Sequence, residues 1–272
     1  MSFNFMSLAS SSKGNSYFIG TDKEKVLLDL GISFKKIKDE LMLRGIDIKD
    51  IDACFISHEH SDHIRSIKSI ISKIGNIDIY MSQGTLMGIK GSSKETYDAL
   101  MINRNRLHII KAQEEINIKD LTIIPFNVSH DTNEPLMYSF LSNDRKLSVV
   151  TDTGIVTDEI FNAIKDADTL VIESNHEPDI LMYGKYPYPI KKRILSDFGH
   201  LSNELCGECL TNVLKEKRNI KVFLAHLSEN NNTPEQARLT ITNYLEENDF
   251  IVGKDLELET LQKEEQSKLI EI

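Results

Sequence analysis

The chain alternates between short apolar runs and longer stretches with helical spacing. Tyr17–Ile19 and Val26–Leu28 read as strands, and a helix begins near Ser33, whose hydroxyl is placed to cap it. In that helix Phe34, Ile37 and Leu41 recur on one face, so it should lie on a sheet, and Gly45 sits where a left-handed C-terminal cap belongs. DACFIS follows as a buried strand and runs straight into His58-Glu59-His60-Ser61-Asp62-His63. Ile64, Ile67, Ile70, Ile71 and Ile74 then mark an amphipathic helix that Gly75 closes. The histidine cluster therefore falls on a strand-to-helix turn.

Further on, IDIYM, RLHII, INI, LTIIPFNV, LMYSFL and LSVV predict successive strands, mostly paired as antiparallel hairpins, with a Gly- and Ser-containing stretch after the first and a turn at Asn143-Asp144-Arg145. Asp158–Lys165 reads as a helix leading into the buried strand TLVIE. Ser202 caps a predicted helix carrying Leu205, Leu210, Val213 and Leu214, and VFLA is the next strand. Thr233-Pro234-Glu235-Gln236 combines a cap, a proline at the first helical position and a glutamine to complete a capping box. With no linker-like stretch or short repeat, residues 1–272 are expected to form one domain made of two sheet-and-helix halves.

Composition narrows the function classes. At 272 residues, 40% hydrophobic and 27% charged, the chain has material for one large core or two small ones. Its 42 acidic against 32 basic residues give a net charge of −10, so any hold on nucleic acid must come from a local basic patch. Neither a leader pattern nor a run approaching roughly 20 apolar residues is present, which predicts a cytoplasmic protein with no membrane partner. Three cysteines cannot make a disulfide framework; Cys206 and Cys209, on one face of a predicted helix, and Cys54, inside DACFIS, read as core.

The candidate chemistry follows from where histidines and aspartates fall. His58, His60 and His63 crowd one turn; His130 follows LTIIPFNVS, Asp152 follows LSVVT, and His226 follows VFLA. Each lies just past an apolar strand, where a rigid scaffold usually carries function. Five imidazoles with Asp62 and Asp152 are ligands that borderline divalent metals accept, and they are too many for one ion. They suit two: His58, His60 and His130 around the first, Asp62, His63 and His226 around the second, and Asp152 bridging. His58 and His60, two apart in an extended segment, point to the same side, whereas Asp62 and His63 enter the helix and are aimed differently.

The order HxHxDH, His, Asp, His resembles the metallo-β-lactamase fold superfamily over nearly the whole chain. The fold this implies is α/β (α+β), an αββα four-layer sandwich of two mixed sheets with helices on the outer faces. More narrowly, MSLASSSKGNSYFI, LLDLGIS, ESNHEPDIL, YPYPIKKRILSDFGHLSN and AHLSENNNTPEQA resemble the YycJ/WalJ branch. That resemblance implies a bacterial metal-dependent nuclease, with 5′ to 3′ exonuclease activity on DNA ahead of RNA. Two divalent ions, zinc or manganese with iron also compatible, would lower the pKa of a shared water and neutralise charge on a phosphodiester. Asp62 then has two roles open, ligand and acceptor of the nucleophile's proton. His200, in GHLSN, resembles a histidine that related phosphodiesterases place near the scissile phosphate.

Other positions carry paired readings. Asp29 is either a support for the metal turn or a turn-former before Gly31. Glu173 and His176 follow a strand end and could orient a ligand or contact substrate, with no specific role assigned, and His108 reads as an ordinary strand residue. Lys191, Lys192 and Arg193, with Lys185, interleave with Tyr183, Tyr186 and Tyr188 before His200, forming either a nucleic-acid surface or a solvated charge run. Ser10, Ser11, Ser12, Lys13 and Asn15 form a phosphate-binding loop or a plain hairpin turn. His60, where flavodiiron proteins carry a carboxylate, favours hydrolysis over redox chemistry. Two alternatives stand beside the nuclease: a hydrolase of a small ester, thioester or cyclic nucleotide, and a regulatory partner protein that keeps metal for stability.

Overall fold

A computed structural model of the protein describes residues 2–272. In chain order its elements are β1 (Phe3–Ser11), β2 (Gly14–Thr21), β3 (Lys25–Leu28), α1 (Phe34–Met42), β4 (Ala53–Phe55), α2 (Ser61–Ile64), α3 (Ile67–Ile74), β5 (Asp78–Met81), α4 (Gln83–Ser92), α5 (Lys94–Ile102), β6 (Leu107–Ile109), β7 (Ile116–Ile118) and β8 (Leu121–Asn127). There follow β9 (Leu136–Ser142), β10 (Arg145–Val150), α6 (Asp158–Ile164), β11 (Thr169–Glu173), α7 (Pro178–Tyr183), α8 (Tyr188–Ile194), α9 (Asn203–Glu216), β12 (Ile220–Ala225), α10 (Pro234–Glu247), β13 (Leu256–Thr260) and β14 (Ile270–Glu271). The chain divides into two compact units. The first runs to Pro125 and takes in Thr132–Leu136 and Glu264–Ile272; the second comprises Phe126–Asp131 and Met137–Lys263.

In the first unit the sheet order is β14-β1-β2-β3-β4-β5-β6. The β1–β2 and β2–β3 pairs are antiparallel and the β3–β4, β4–β5 and β5–β6 pairs are parallel. Ile37 and Leu41 of α1 and Ile67, Ile70 and Ile71 of α3 bury against Leu27, Cys54 and Ile79 of the sheet. Ser33 caps α1 by accepting the Lys36 N–H at 3.2 Å, and Gly45 and Gly75 take φ values of 72° and 75° as the apolar pattern requires. Ser10–Asn15 is the β1–β2 hairpin.

The second sheet has the order β13-β12-β11-β10-β9-β8-β7. Strands β10, β11, β12 and β13 run parallel, while β9 pairs antiparallel with β10 and β7 with β8. Asn143 (φ 52°) and Asp144 (φ 59°) form the left-handed two-residue turn between β9 and β10. Ile160 and Ile164 of α6, Cys206, Leu210 and Val213 of α9, and Ile241 and Leu245 of α10 pack with Leu170, Ile172, Val222 and Leu224 of the central strands.

Three departures from the sequence reading have physical causes. IDIYM and RLHII form no hairpin: they are the parallel pair β5–β6, joined through α4 and α5, and a parallel pair needs such a crossover. These helices are hard to see because Gly84, Gly88 and Gly91 dilute in α4 a buried stripe reduced to Thr85, Leu86 and Ile89, and α5 buries Leu100 alone. The helix expected over Ile64–Ile74 breaks at Arg65–Ser66, where the His63 carbonyl accepts from Leu30 N at 2.7 Å and Ser66 N donates to Leu30 O at 2.9 Å. The capping box at Thr233 is half made: Thr233 Oγ1 accepts from Gln236 N at 3.1 Å, but the Thr233 N–H goes to Asn232 Oδ1 at 3.0 Å.

No helix among the described residues is long and apolar enough to cross a membrane. All three cysteines are free and buried, and burial pushes the Cys209 thiol up to about 12 and those of Cys54 and Cys206 well above the ordinary thiol value. The native protein should therefore leave Ellman's reagent unreduced for hours, releasing three equivalents only after denaturation. Rapid labelling of any thiol in the native state would contradict this burial.

Candidate metal centre

Sites built at the carboxyl ends of parallel strands are defined by the residue that follows each strand. In the first unit, β3 and β4 run parallel and end in Asp29 and, after Ile56, in Ser57-His58. Asp29 is fully buried in a left-handed conformation, φ 61°. Its Oδ1 accepts the Ser57 N–H at 2.8 Å, and its Oδ2 lies 2.8 Å from Ser57 Oγ and 2.7 Å from His63 Nδ1. A carboxylate only accepts, so His63 carries its proton on Nδ1, and the Ser57 hydroxyl donates to Asp29. Ser57 Oγ in turn accepts from His58 Nδ1 at 3.0 Å. One carboxylate thus sets two tautomers and leaves Nε2 as the lone-pair atom of both His58 and His63.

Around that pair, the ring of His60 meets His58 edge-on at 4.9 Å, and Asp62 Oδ2 lies 3.4 Å from His63 Nε2. Asn15 is oriented by its Oδ1 accepting from Ser11 N at 3.1 Å, so its amide NH2 faces His63 Nε2 at 3.1 Å and Asp62 Oδ2 at 3.4 Å. The Ser10–Asn15 hairpin thereby reaches the histidine turn through Asn15. Gly31 is required for the close approach: a Cβ there would fall 1.5 Å from the Asp62 carbonyl oxygen.

In the second unit, β10, β11 and β12 run parallel and deliver Asp152, Glu173 and His226 to one sheet edge. Asp152 and His226 are also left-handed, at φ 55° and 54°. Glu173 is fully buried; its Oε1 accepts from His226 Nδ1 at 2.7 Å and His200 Nδ1 at 2.9 Å, and its Oε2 from the Thr153 and Leu201 N–H groups at 3.0 and 3.2 Å. Burial alone would raise this carboxyl, but the His200 and His226 imidazoles hold it well below the usual carboxylate range. His130 donates Nδ1–H to Gly199 O at 3.1 Å. Asp152 Oδ1 lies 3.6 Å from His226 Nδ1 and 3.8 Å from both His130 Nε2 and His200 Nδ1.

The donor set fits a divalent metal. Asp152, Glu173, His200 and His226 each offer a ligand atom within 4.8 Å of the others. The 2.7–2.9 Å hydrogen bonds identify Glu173 as the group that orients His200 and His226, leaving Nε2 of each for a ligand or substrate. For Glu173 the sequence left orienting a ligand and contacting substrate both open; the hydrogen bonds favour the first, and its signal is a charge at the end of the buried strand TLVIE, which has to find donors.

The basic cluster is largely engaged within the fold. Arg193 forms a forked pair with Asp131, Nη2 to Oδ1 at 2.9 Å, and Lys191 Nζ donates to Met182 O at 2.6 Å. Lys185 and Lys192 are exposed. His108 donates to Asp78 at 2.9 Å and stacks on Tyr80, away from the histidine turn in sequence and bonding. His176 is buried, with no hydrogen-bond partner for either ring nitrogen among the described residues.

Comparison with known proteins agrees with this geometry. The family model for the β-lactamase superfamily domain matches residues 24–224. Exodeoxyribonuclease WalJ of Streptococcus pneumoniae serotype 2 (strain D39) is 37% identical over 270 residues, 99% of this chain and 98% of the relative. Exodeoxyribonuclease YycJ of Bacillus anthracis is 35% identical over 258 residues, 95% of each chain. Among solved structures, YhfI of Bacillus subtilis aligns with a TM-score of 0.69 at 14% identity, over 98% of this chain and 99% of its own. Yeast PDE1 aligns at 0.71 and 15%, over 99% and 100%. The chain belongs to the metallo-β-lactamase superfamily and has its α/β sandwich fold of two mixed sheets with helices. Its place within that superfamily is the YycJ/WalJ branch.

Two outcomes follow from these hydrogen bonds. Asp29→Asn and Glu173→Gln each turn an amide NH2 towards imidazole or backbone donors, and should weaken divalent-metal affinity about 10- to 100-fold in competition with a chelating dye; unchanged affinity in both would refute the orienting role. Burial pushes the His176 imidazole down from its ordinary 6.5 to about 4, so the unfolded chain takes up the proton first. The stability this neutral ring contributes is complete above pH 6.5 and drains away as pH falls towards 4. His176→Phe should lose less Tm than the parent between pH 7 and pH 5, by a few degrees; parallel Tm curves would show that the ring titrates normally.

Proposed function

We propose that this protein is a metal-dependent exonuclease that removes nucleotides from DNA in the 5′ to 3′ direction. The observation that carries the reading is the shared tautomer of five histidines. Asp29, directly or through Ser57, the Gly199 carbonyl and Glu173 each hold Nδ1–H, so His58, His63, His130, His200 and His226 all present Nε2. Full-length similarity to proteins named exodeoxyribonucleases supplies the substrate. His58, His60 and His130 would hold one divalent ion, Asp62, His63 and His226 a second, with Asp152 shared, all within one metallohydrolase domain acting in the cytoplasm. Zinc or manganese, and iron as well, match these donors. When bound, such ions supply Lewis-acid polarisation of a phosphodiester and a nucleophile at neutral pH.

The chain's own residues supply the proton traffic. Asp62, beside its role as ligand, takes the proton that the attacking water loses. His200, its Nδ1–H held on Glu173, turns Nε2 to the leaving oxygen and passes a proton to it as the P–O bond breaks. The reaction consumes one water and returns one nucleotide and a shortened strand.

A time course with end-labelled single- and double-stranded DNA and RNA, in manganese or zinc, tests this beside a His58→Ala, Asp62→Ala double variant. DNA should be degraded from the 5′ end by the intact protein, with the variant at least about a hundredfold slower and holding fewer ions by elemental analysis. Protein carrying two ions that leaves every nucleic acid intact would overturn the proposal in favour of small-ester hydrolysis.

A further inference from the structure

We propose that Phe198 is a stacking platform for the unpaired base next to the bond being cut, so that the enzyme engages its DNA as a single strand at the site. This rests on the nuclease reading and adds a binding subsite to it. Residues 195–200 form the turn between α8 and His200, and that turn is bolted to the residues around two candidate metal ligands. Ser129 Oγ, beside His130, donates to Asp197 O at 2.7 Å, and His130 itself donates to Gly199 O at 3.1 Å. Gly154, two residues after Asp152, packs so closely that a Cβ would fall 2.3 Å from Ser196 O and 2.5 Å from Asp197 O. Inside the turn Gly199 N donates to Ser196 O at 2.8 Å and His200 N to Ile194 O at 3.0 Å.

Both neighbours of Phe198 are thus fixed to the metal-ligand turns, yet its ring is 60% exposed. A ring turned outward gains little from folding, and an exposed apolar patch commonly marks a binding surface. Other apolar side chains of the segment are exposed as well: Tyr188 is 72% exposed, and Ile190 and Leu195 are 41% and 45% exposed. Phe198 and His200 are two residues apart, at most roughly 7 Å of chain. A nucleotide with its phosphate at His200 can reach that ring with its own base.

Charge points the same way. Asp131 neutralises Arg193, leaving Lys185, Lys191 and Lys192 as the cations of the segment in a chain of net charge −10. So few free cations give a weak grip on a phosphate backbone. Stacking on an aromatic face needs no counter-charge and accepts any base, which suits an enzyme that must move along a sequence one nucleotide at a time.

The test uses the metal-loaded full chain and a single-stranded DNA with hydrolysis-resistant phosphorothioate linkages and 2-aminopurine as its terminal base. Binding should quench 2-aminopurine fluorescence. Phe198→Ala should lose the quenching and bind about 5- to 150-fold more weakly, the range for one base stacked on one ring; Phe198→Tyr should restore both. With an abasic residue in place of 2-aminopurine, the parent and Phe198→Ala should bind equally. Equal affinity and quenching for parent and Phe198→Ala on the base-containing strand would overturn the proposal. Cleavage of ordinary DNA is scored separately, so stacking without cleavage would defeat the nuclease reading alone, and cleavage with no dependence on Phe198 would defeat the platform alone.

Discussion

A carboxylate shut away from water must be surrounded by donors, and two such groups organise everything around them. Asp29 ends β3 and Glu173 ends β11, both with no solvent exposure. Each answers its burial in the same way, with one oxygen or both taking backbone N–H groups of a neighbouring turn and imidazole Nδ1–H bonds completing the shell. Removing either acid would leave those donors facing an apolar interior, at a cost of order 1–3 kcal/mol for each group stranded. The same bonds fix ring planes and tautomers. Stability and chemistry are therefore carried by one set of contacts.

The backbone pays attention to the same places. Asp29, Asp152 and His226 are all left-handed, each directly after or two residues after the end of a strand in a parallel pair. Aspartate tolerates that conformation better than most residues, but histidine has no such excuse beyond its ring nitrogens, and each instance costs on the order of 1–2 kcal/mol. The turn at His226 is compensated locally. Its carbonyl accepts from Asn175 Nδ2 at 2.9 Å, and Ser228 N closes onto Asn175 O at 2.8 Å. A strand that has to stop abruptly and present a ligand is held by a neighbouring strand's polar tail, the Glu173-Ser174-Asn175 segment.

Much of this was legible in the amino-acid order. A histidine or aspartate directly after an apolar run is a local signal, so the histidine turn, His130, Asp152 and His226 stand out one at a time as candidates. Capping by Ser33, Ser202 and Thr233 and the left-handed glycines at 45 and 75 are local as well. What escaped depends on partners distant in sequence. Nothing around Arg193 announces that Asp131, 62 residues earlier, takes its charge, and nothing in TLVIE says which imidazoles Glu173 will hold. Helices α4 and α5 escaped for a different reason: Gly84, Gly88 and Gly91 interrupt the stripe of α4, and α5 is nine residues long with Leu100 as its buried residue, so neither shows a wide apolar face. Without those helices in view, nothing set β5 and β6 apart from a run of strands expected to pair mostly as antiparallel hairpins.

If an acidic chain is to act on a polyanion, as proposed, the candidate site can itself supply the attraction that the surface lacks. Metal ions would bring several positive charges to the one place where the phosphate must sit, at the strand ends, while the surrounding surface stays negative and disfavours non-specific adsorption along duplex DNA. Binding energy is then concentrated where charge develops in the transition state instead of being spread over the groove of an intact helix, which is the distribution that accelerates a reaction rather than merely retaining its substrate. Phe198, on the turn after α8, would extend that logic, since an aromatic ring can hold a base without adding charge. Arg193 fits the same scheme: paired with Asp131, next to His130, it ties α8 to the turn that carries this candidate ligand, and such a tie holds the His200 turn in register with it.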